Sequence, residues 1–112
     1  MIIKLTIDLE VPGQGAIYSK RHVISEDEGT YQELVVVNGS VDSPVSFGGV
    51  TTADVVYLTS DRALTYRCAV TDTAIGLDAD RVHVLCGTNL TALLLSNSGD
   101  TDANVKVLVA GT

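Results

Sequence analysis

Apolar residues occupy every second position in the first segment of the chain. Polar residues stand between them over nine residues, and the alternating apolar positions are Ile3, Leu5, Ile7, Leu9 and Val11. A period of two is typical of a half-buried strand. Residues 12–15, which contain a proline and two glycines, end this strand with turn chemistry.

Short segments of similar pattern follow along the rest of the chain, separated by turn residues. We predict strands at residues 3–11, 16–25, 31–37, 41–45, 54–59, 63–70, 74–77, 81–86, 90–96 and 103–110. Turn signals about every eight to twelve residues are typical of a sandwich or barrel. No segment shows the 3.6-residue apolar period, so we expect no helix longer than about two turns.

The strand pattern predicts the fold class. We expect residues 1–112 to form a single all-β domain, a β-sandwich of jelly-roll type with about eight to ten short antiparallel strands. Another Greek-key sandwich is the alternative arrangement. Asn38-Gly39 is a strong hairpin signal because both residues accept positive φ. We therefore predict that residues 31–37 pair with residues 41–45.

Three predicted stretches of strand are apolar on both faces, namely residues 34–37, 55–58 and 90–95. A sheet face that does not pack on the core is normally polar, and no helix is predicted that could cover a second apolar face. Either the outer residues are tolerated at the surface, where apolar atoms are common, or copies of the chain cover one another. The second interpretation predicts an oligomer interface, whose candidate residues are Leu93, Leu95, Val36 and Val56.

The composition excludes several classes of protein. An apolar fraction of 46% with 19% charged residues excludes intrinsic disorder. No apolar run approaches the ~20 residues that span a bilayer, so we expect no membrane partner. Seven basic and fourteen acidic residues give a net charge of −7. A surface of that sign repels phosphate backbones, so we expect no nucleic-acid partner.

The candidate metal ligands lack the spacing of a metal site. His22 and His83 are the only histidines, and they form no His-x-His pair or other ligand template. Residues 100–104 resemble the start of a calcium-binding loop, but Val105 stands where the loop needs glycine and Gly111 where it needs glutamate. We therefore predict no metal and no cofactor, and we interpret residues 100–104 as a polar turn.

The two cysteines, Cys68 and Cys86, both fall in predicted strands. Two cysteines cannot form a multi-bridge framework. Because buried free cysteine is a common small core residue, we predict that both are buried and unbridged. The sequence contains no nucleophile elbow, phosphate-binding loop, zinc signature or dinucleotide fingerprint. We therefore predict no catalytic residues and no enzymatic activity.

The second half of the chain, from about residue 49 to residue 111, resembles a module of tailed-bacteriophage virion proteins. The segments that carry the resemblance are residues 50–52, 56–61, 64–68, 75–77, 90–97, 98–99, 103–107 and 110–111. The resemblance is to small β-rich structural subunits, similar to capsid decoration (cement) proteins, and it implies a jelly-roll homotrimer. No functional residues transfer, because the shared pattern is structural.

The resemblance implies a non-enzymatic structural protein located in the virion. The first expectation is a decoration protein on the outer capsid surface, which stabilises the particle through multivalent contacts with the major capsid protein or other virion proteins. One alternative is a tail, collar or fibre component. An alternative from another class is a carbohydrate-binding β-sandwich module. Such modules present aromatic platforms, whereas this chain has one phenylalanine, four tyrosines and no tryptophan.

Overall fold

Ten strands and no helix make up the computed structural model, which describes the backbone of residues 1–112 and every side chain except those of Ala16, Ile17 and Thr88. The strands are β1 (Ile2–Val11), β2 (Gly15–Ser25), β3 (Glu28–Val36), β4 (Ser43–Pro44), β5 (Ala53–Ser60), β6 (Leu64–Arg67), β7 (Ile75–Leu77), β8 (Val82–Leu90), β9 (Leu94–Ser96) and β10 (Ala103–Gly111). The prediction of an all-β, antiparallel sandwich is confirmed. The described part of the chain contains no helix that is long and apolar enough to cross a membrane.

Two four-stranded sheets pack around one apolar core. The first sheet has the strand order β3-β10-β5-β8 and the second has the order β4-β9-β6-β7. The central strand β10 shows how alternation of apolar and polar residues produces this arrangement. Val105, Val107 and Val109 are at most 1% exposed, whereas Lys106, between the first two, is exposed. Successive side chains on a strand point to opposite faces, so the valines enter the core while the lysine stays outside.

The strands β1 and β2 form a separate two-stranded antiparallel sheet, which we call the arm. The arm gives the molecule an extended outline, with principal extents of 43 × 35 × 24 Å and a radius of gyration of 15.1 Å. A compact domain of this length would have a radius of gyration of about 13 Å. The chain therefore carries part of its length outside the compact sandwich.

The hairpin predicted at Asn38-Gly39 is wrong. β3 pairs with β10 and β4 pairs with β9, so the chain passes from one sheet to the other at this point. Gly39 has a φ of 81°, but Asn38 does not adopt positive φ as a type I′ turn requires. The Asn38 N–H instead donates to Asp102 Oδ1 over 2.9 Å, and the Gly39 N–H donates to the carbonyl of Asn97 over 2.7 Å.

A buried asparagine holds this crossover in place. Asn97 is 1% exposed, and its Nδ2 donates to the carbonyl oxygens of Val36 (3.0 Å) and Thr101 (2.9 Å). Its Oδ1 accepts from the Gly99 N–H over 3.0 Å. A buried amide is stable only when its polar atoms have partners. Here those partners tie the end of β3 to the loop between β9 and β10.

The predicted oligomer interface lies inside the monomer. Val36, Val56, Leu93 and Leu95 are 1%, 0%, 1% and 0% exposed, and all four belong to the core cluster. Their faces of β3, β5 and β9 are the ones that meet between the two sheets. The prediction of an oligomer interface at these residues is therefore wrong. These four side chains form the core face of their strands and are not available to a second copy in the folded chain.

Replacing Leu93 and its neighbour Leu94 tests this placement of the two faces. We expect Leu93→Ala to lower the free energy of unfolding by about 2–5 kcal/mol, because it leaves a cavity in the core. Leu94 is half-buried, so Leu94→Ala is the matched control and should cost less than about 1.5 kcal/mol. Urea denaturation of the two variants gives both values. Equal losses, or a larger loss for Leu94→Ala, would contradict the structure.

Candidate functional site

The outer face of the β3-β10-β5-β8 sheet is apolar at one level, and at the next level three of its four residues are polar. Strand pairing places four residues side by side in an apolar row, namely Tyr31, Leu108, Tyr57 and Val84. The next row along the strands consists of Glu33, Lys106, Thr59 and Val82. Directly opposed residues on paired strands share one face, so the two rows lie beside each other on the outside of the sandwich.

One face of the arm carries the alternating apolar side chains of β1. The β2 residues directly opposite them share this face, and the pairs are Ile3↔Ile24, Leu5↔His22, Ile7↔Lys20 and Leu9↔Tyr18. Near the chain terminus, Ile3, Leu5 and Ile24 are half-buried and line a cleft of about 370 Å³ together with all four residues of the apolar row. The root of the arm therefore lies over the half-buried part of the row, Leu108, Tyr57 and Val84, whereas Tyr31 remains 54% exposed.

The far end of the same arm face is uncovered. We call it the distal patch; it consists of Ile7, Leu9, Val11 and Tyr18, which are 37%, 55%, 41% and 38% exposed. Four neighbouring large apolar side chains at one tip form a contiguous surface, unlike single exposed apolar residues, which are common on any protein. Contiguous apolar patches on soluble proteins mark contact sites.

A second cleft lies over the polar row. We call it the outer groove; its volume is about 550 Å³, and its lining includes Glu33, Val35, Tyr57, Asp61, Asp80 and Lys106. Asp61 accepts hydrogen bonds from the backbone N–H of Asn104 (2.7 Å) and from its Nδ2 (2.9 Å). These bonds lower the pKa of Asp61, because they favour the charged carboxylate. The groove therefore combines apolar side chains with a surplus of negative charge.

A tyrosine–histidine pair lies between the two sheets. Tyr66 on β6 is 2% exposed, and its hydroxyl lies 2.9 Å from Nδ1 of His83 on β8. The rings meet edge to face, with centroids 5.5 Å apart. Burial raises the pKa of Tyr66, so the hydroxyl keeps its proton and can donate to the imidazole. The pair links the two sheets with a satisfied hydrogen bond.

The structure does not bring the two histidines into one site. His83 bonds Tyr66, whereas His22 lies on the arm with its Nε2 3.3 Å from the Tyr18 hydroxyl. No group of three or more His, Cys, Asp or Glu side chains that could hold a metal ion occurs among the described residues. In the turn at residues 100–104, Asp102 accepts the Asn38 N–H, which is a structural contact.

The two cysteines are free thiols, but they differ in exposure from the prediction. Cys68 is partly buried and Cys86 is exposed. Cys86 pairs with Val55 on the outer face of the sheet rather than in the core, so the prediction of burial is wrong for Cys86. Burial and the nearby carboxylate of Asp72 raise the pKa of the Cys68 thiol. A raised pKa keeps that thiol protonated and makes it a poor nucleophile.

The cysteines should therefore react at different rates in the folded protein. We expect iodoacetamide to modify Cys86 well before Cys68, because Cys86 is exposed and Cys68 is shielded with a raised pKa. Peptide mapping by mass spectrometry during the reaction measures both rates, and the urea-unfolded protein, in which both thiols are accessible, is the control. Faster modification of Cys68, or a mass showing that neither thiol reacts after unfolding without reductant, would contradict the structure.

The local sequence pattern does not show that β1 and β2 form a sheet of their own. Both of its strands were predicted nearly at their observed positions, but they were assigned to the sandwich. Their length could have indicated a separate hairpin, since β1 and β2 have 10 and 11 residues, compared with about 5–6 for a mean strand. The outer groove left no local signal, because strands distant in the sequence bring its residues together.

Comparison with known proteins supports the fold. The crystal structure of a cupin_2 domain of an XRE family transcriptional regulator from Enterobacter cloacae is similar over 99% of this chain and 97% of that chain, with a TM-score of 0.53 and 11% sequence identity. No family model matches the sequence, and no curated protein matches it. At this level of identity the similarity concerns the fold alone: the chain has a cupin-like β-sandwich.

The resemblance to tailed-bacteriophage virion proteins is wrong. The structural similarity is to a domain of a transcriptional regulator, and it extends over nearly the whole chain, including the first half, to which the virion resemblance did not extend. The expected roles that followed from this resemblance, as a capsid decoration protein or as a tail, collar or fibre component, are therefore wrong as well. The segments that suggested them are alternating strands and turns, which any sandwich with many hairpins contains.

Proposed function

We propose that this protein is a non-enzymatic module that works by protein–protein contact, with the arm binding a second copy of the same chain. The observation that carries the proposal is the distal patch, whose four large apolar side chains remain 37–55% exposed at the end of the arm. Covering such side chains releases roughly 25 cal/mol for each Å² of apolar surface removed from water.

A second copy suits the patch because the chain already shows what this arm face binds. At the root, Ile3, Leu5 and Ile24 lie against the apolar outer face of the sheet in their own chain. The patch continues the same arm face by the same alternation of side chains. A second copy supplies an identical sheet whose outer face is partly uncovered, as exposed fractions of 56% for Val35 and 53% for Val82 indicate.

The interior of the sandwich favours a role without catalysis. The space between the sheets is filled by aliphatic side chains from both, with Leu58, Leu77, Leu93 and Leu95 at most 1% exposed. Tyr66 and His83 satisfy each other there. Both clefts described above lie on the outside of the sandwich, where a macromolecular partner has access. The net charge of −7 disfavours nucleic acid as that partner.

A charge placed in the distal patch tests the proposal. We expect Leu9→Asp to weaken self-association at least about tenfold, because a carboxylate would have to be desolvated in the contact. Thr6→Asp is the matched control: Thr6 is exposed and lies on the opposite face of the same strand, so it adds the same charge outside the patch. Sedimentation velocity over a concentration series measures both association constants.

Circular dichroism and thermal unfolding should show both variants folded, because the distal patch makes no contribution to the core cluster. If the two aspartate variants associate as strongly as the unmodified protein, the arm is not the contact surface. Equal weakening of both variants would mean that net charge, rather than the patch, controls association.

A further inference from the structure

We infer that the distal patch of one copy binds in the outer groove of a second copy, and that the second copy's patch binds in the groove of the first. This inference rests on the proposed self-association and adds the identity of the receiving surface. The exchange would form a closed pair related by a two-fold axis, which is the commonest symmetry of soluble oligomers.

The outer groove directly continues the surface that already receives the arm. The cleft under the arm root and the outer groove share Tyr57 and Lys106 as lining residues. The register places Lys106 beside Glu33 and Thr59, one level along the strands from the apolar row. A second arm could therefore lie beside the first on one continuous sheet face. Val35, at 56% exposure, supplies apolar surface for it.

Charge supports the same pairing. Lys20 is exposed and lies directly opposite Ile7, so it shares the face of the distal patch. The outer groove carries three carboxylates, those of Glu33, Asp61 and Asp80, against the single ammonium group of Lys106 among its lining residues. An arm that brings its own ammonium group would reduce this surplus of negative charge. Complementary charge also selects one docking site over others of similar hydrophobicity.

Glu33 is the groove carboxylate best suited to a test. It is exposed, and its contact with the Tyr31 hydroxyl is 3.2 Å long and also exposed. Asp61 is less suitable because it holds Asn104, and Asp80 occupies a turn with a φ of 60°. Changing Glu33 therefore alters the charge of the groove with the least effect on the fold.

The experiment exchanges the two charges between separate chains. K20E places a carboxylate on the arm opposite the acidic groove. E33K adds a second ammonium group that balances the two remaining groove carboxylates, so the groove no longer attracts Lys20 of the arm. We expect each variant alone to self-associate about tenfold or more weakly than the unmodified protein. An equimolar mixture of the two variants can form a mixed pair with two favourable contacts. The carboxylate on the K20E arm meets the groove that gained an ammonium group, and Lys20 of the E33K chain meets the unmodified acidic groove. Association in the mixture should return to within about threefold of the unmodified protein, with native mass spectrometry showing the mixed pair.

Arg21→Glu is the matched control, since Arg21 is exposed on the other face of the same strand and gives the same change in charge. R21E alone should associate as strongly as the unmodified protein, and in its mixture with E33K native mass spectrometry should show no enrichment of the mixed pair. Mixing excludes a contact within one chain, because a contact of that kind cannot be restored by a second chain.

The outcomes separate the two proposals. If the unmodified protein associates and L9D dissociates it, but the K20E and E33K mixture shows no recovery, the arm binds elsewhere on the second copy. In that case the inference fails while the proposed function stands. If the unmodified protein does not associate, both fail. If R21E alone weakens association as much as K20E does, net charge rather than this contact controls association, and that result would also overturn the inference.

Discussion

The structure depends on covering both faces of the β3-β10-β5-β8 sheet. The inner face packs against the second sheet, where Val56, Leu58 and Val107 are at most 1% exposed. The outer face is also apolar at the level of Leu108 and Val84, and a polar solvent penalises apolar area of this kind. The chain has no helix among its described residues that could cover it. The root of the arm covers part of it instead.

Covering the outer face with a hairpin has a consequence for the other end of that hairpin. Alternation gives β1 one apolar face along its whole length, but only the root lies on the sheet of its own chain. The tip is left with an apolar surface, and the sheet is left with a partly open groove. The groove adjoins the apolar row that the root contacts and shares Tyr57 and Lys106 with that cleft, but it also carries three carboxylates. The proposed self-association would bring these two surfaces together.

Local pattern predicted the strands well because alternation and turn residues act over a few positions. The strand at residues 103–110 and the turn at residues 12–15 are examples. Pairing was harder: Asn38-Gly39 has hairpin chemistry, yet Asp102 and Asn97, about sixty residues away, engage that turn and direct the chain into the other sheet. Tertiary contacts here override a local preference.

The two faces of a strand present the same difficulty. Leu93 and Leu94 are chemically alike, and only the position of the second sheet decides which of them is buried. The sequence therefore predicted that a second apolar face needs a cover, but not which residues form that face or what covers it. A resemblance built from strand-and-turn segments was equally unspecific, and the virion role inferred from it did not hold against the similarity to a cupin_2 domain.

The proposed role of the uncovered arm tip is to make the folded chain self-associate. The most direct measurement is the molar mass of the unmodified protein by light scattering during size-exclusion chromatography, over a wide range of loading concentrations. We predict a mass above the 11.8 kDa of one chain at high concentration, falling toward that value on dilution. A mass of 11.8 kDa at every concentration would contradict the account.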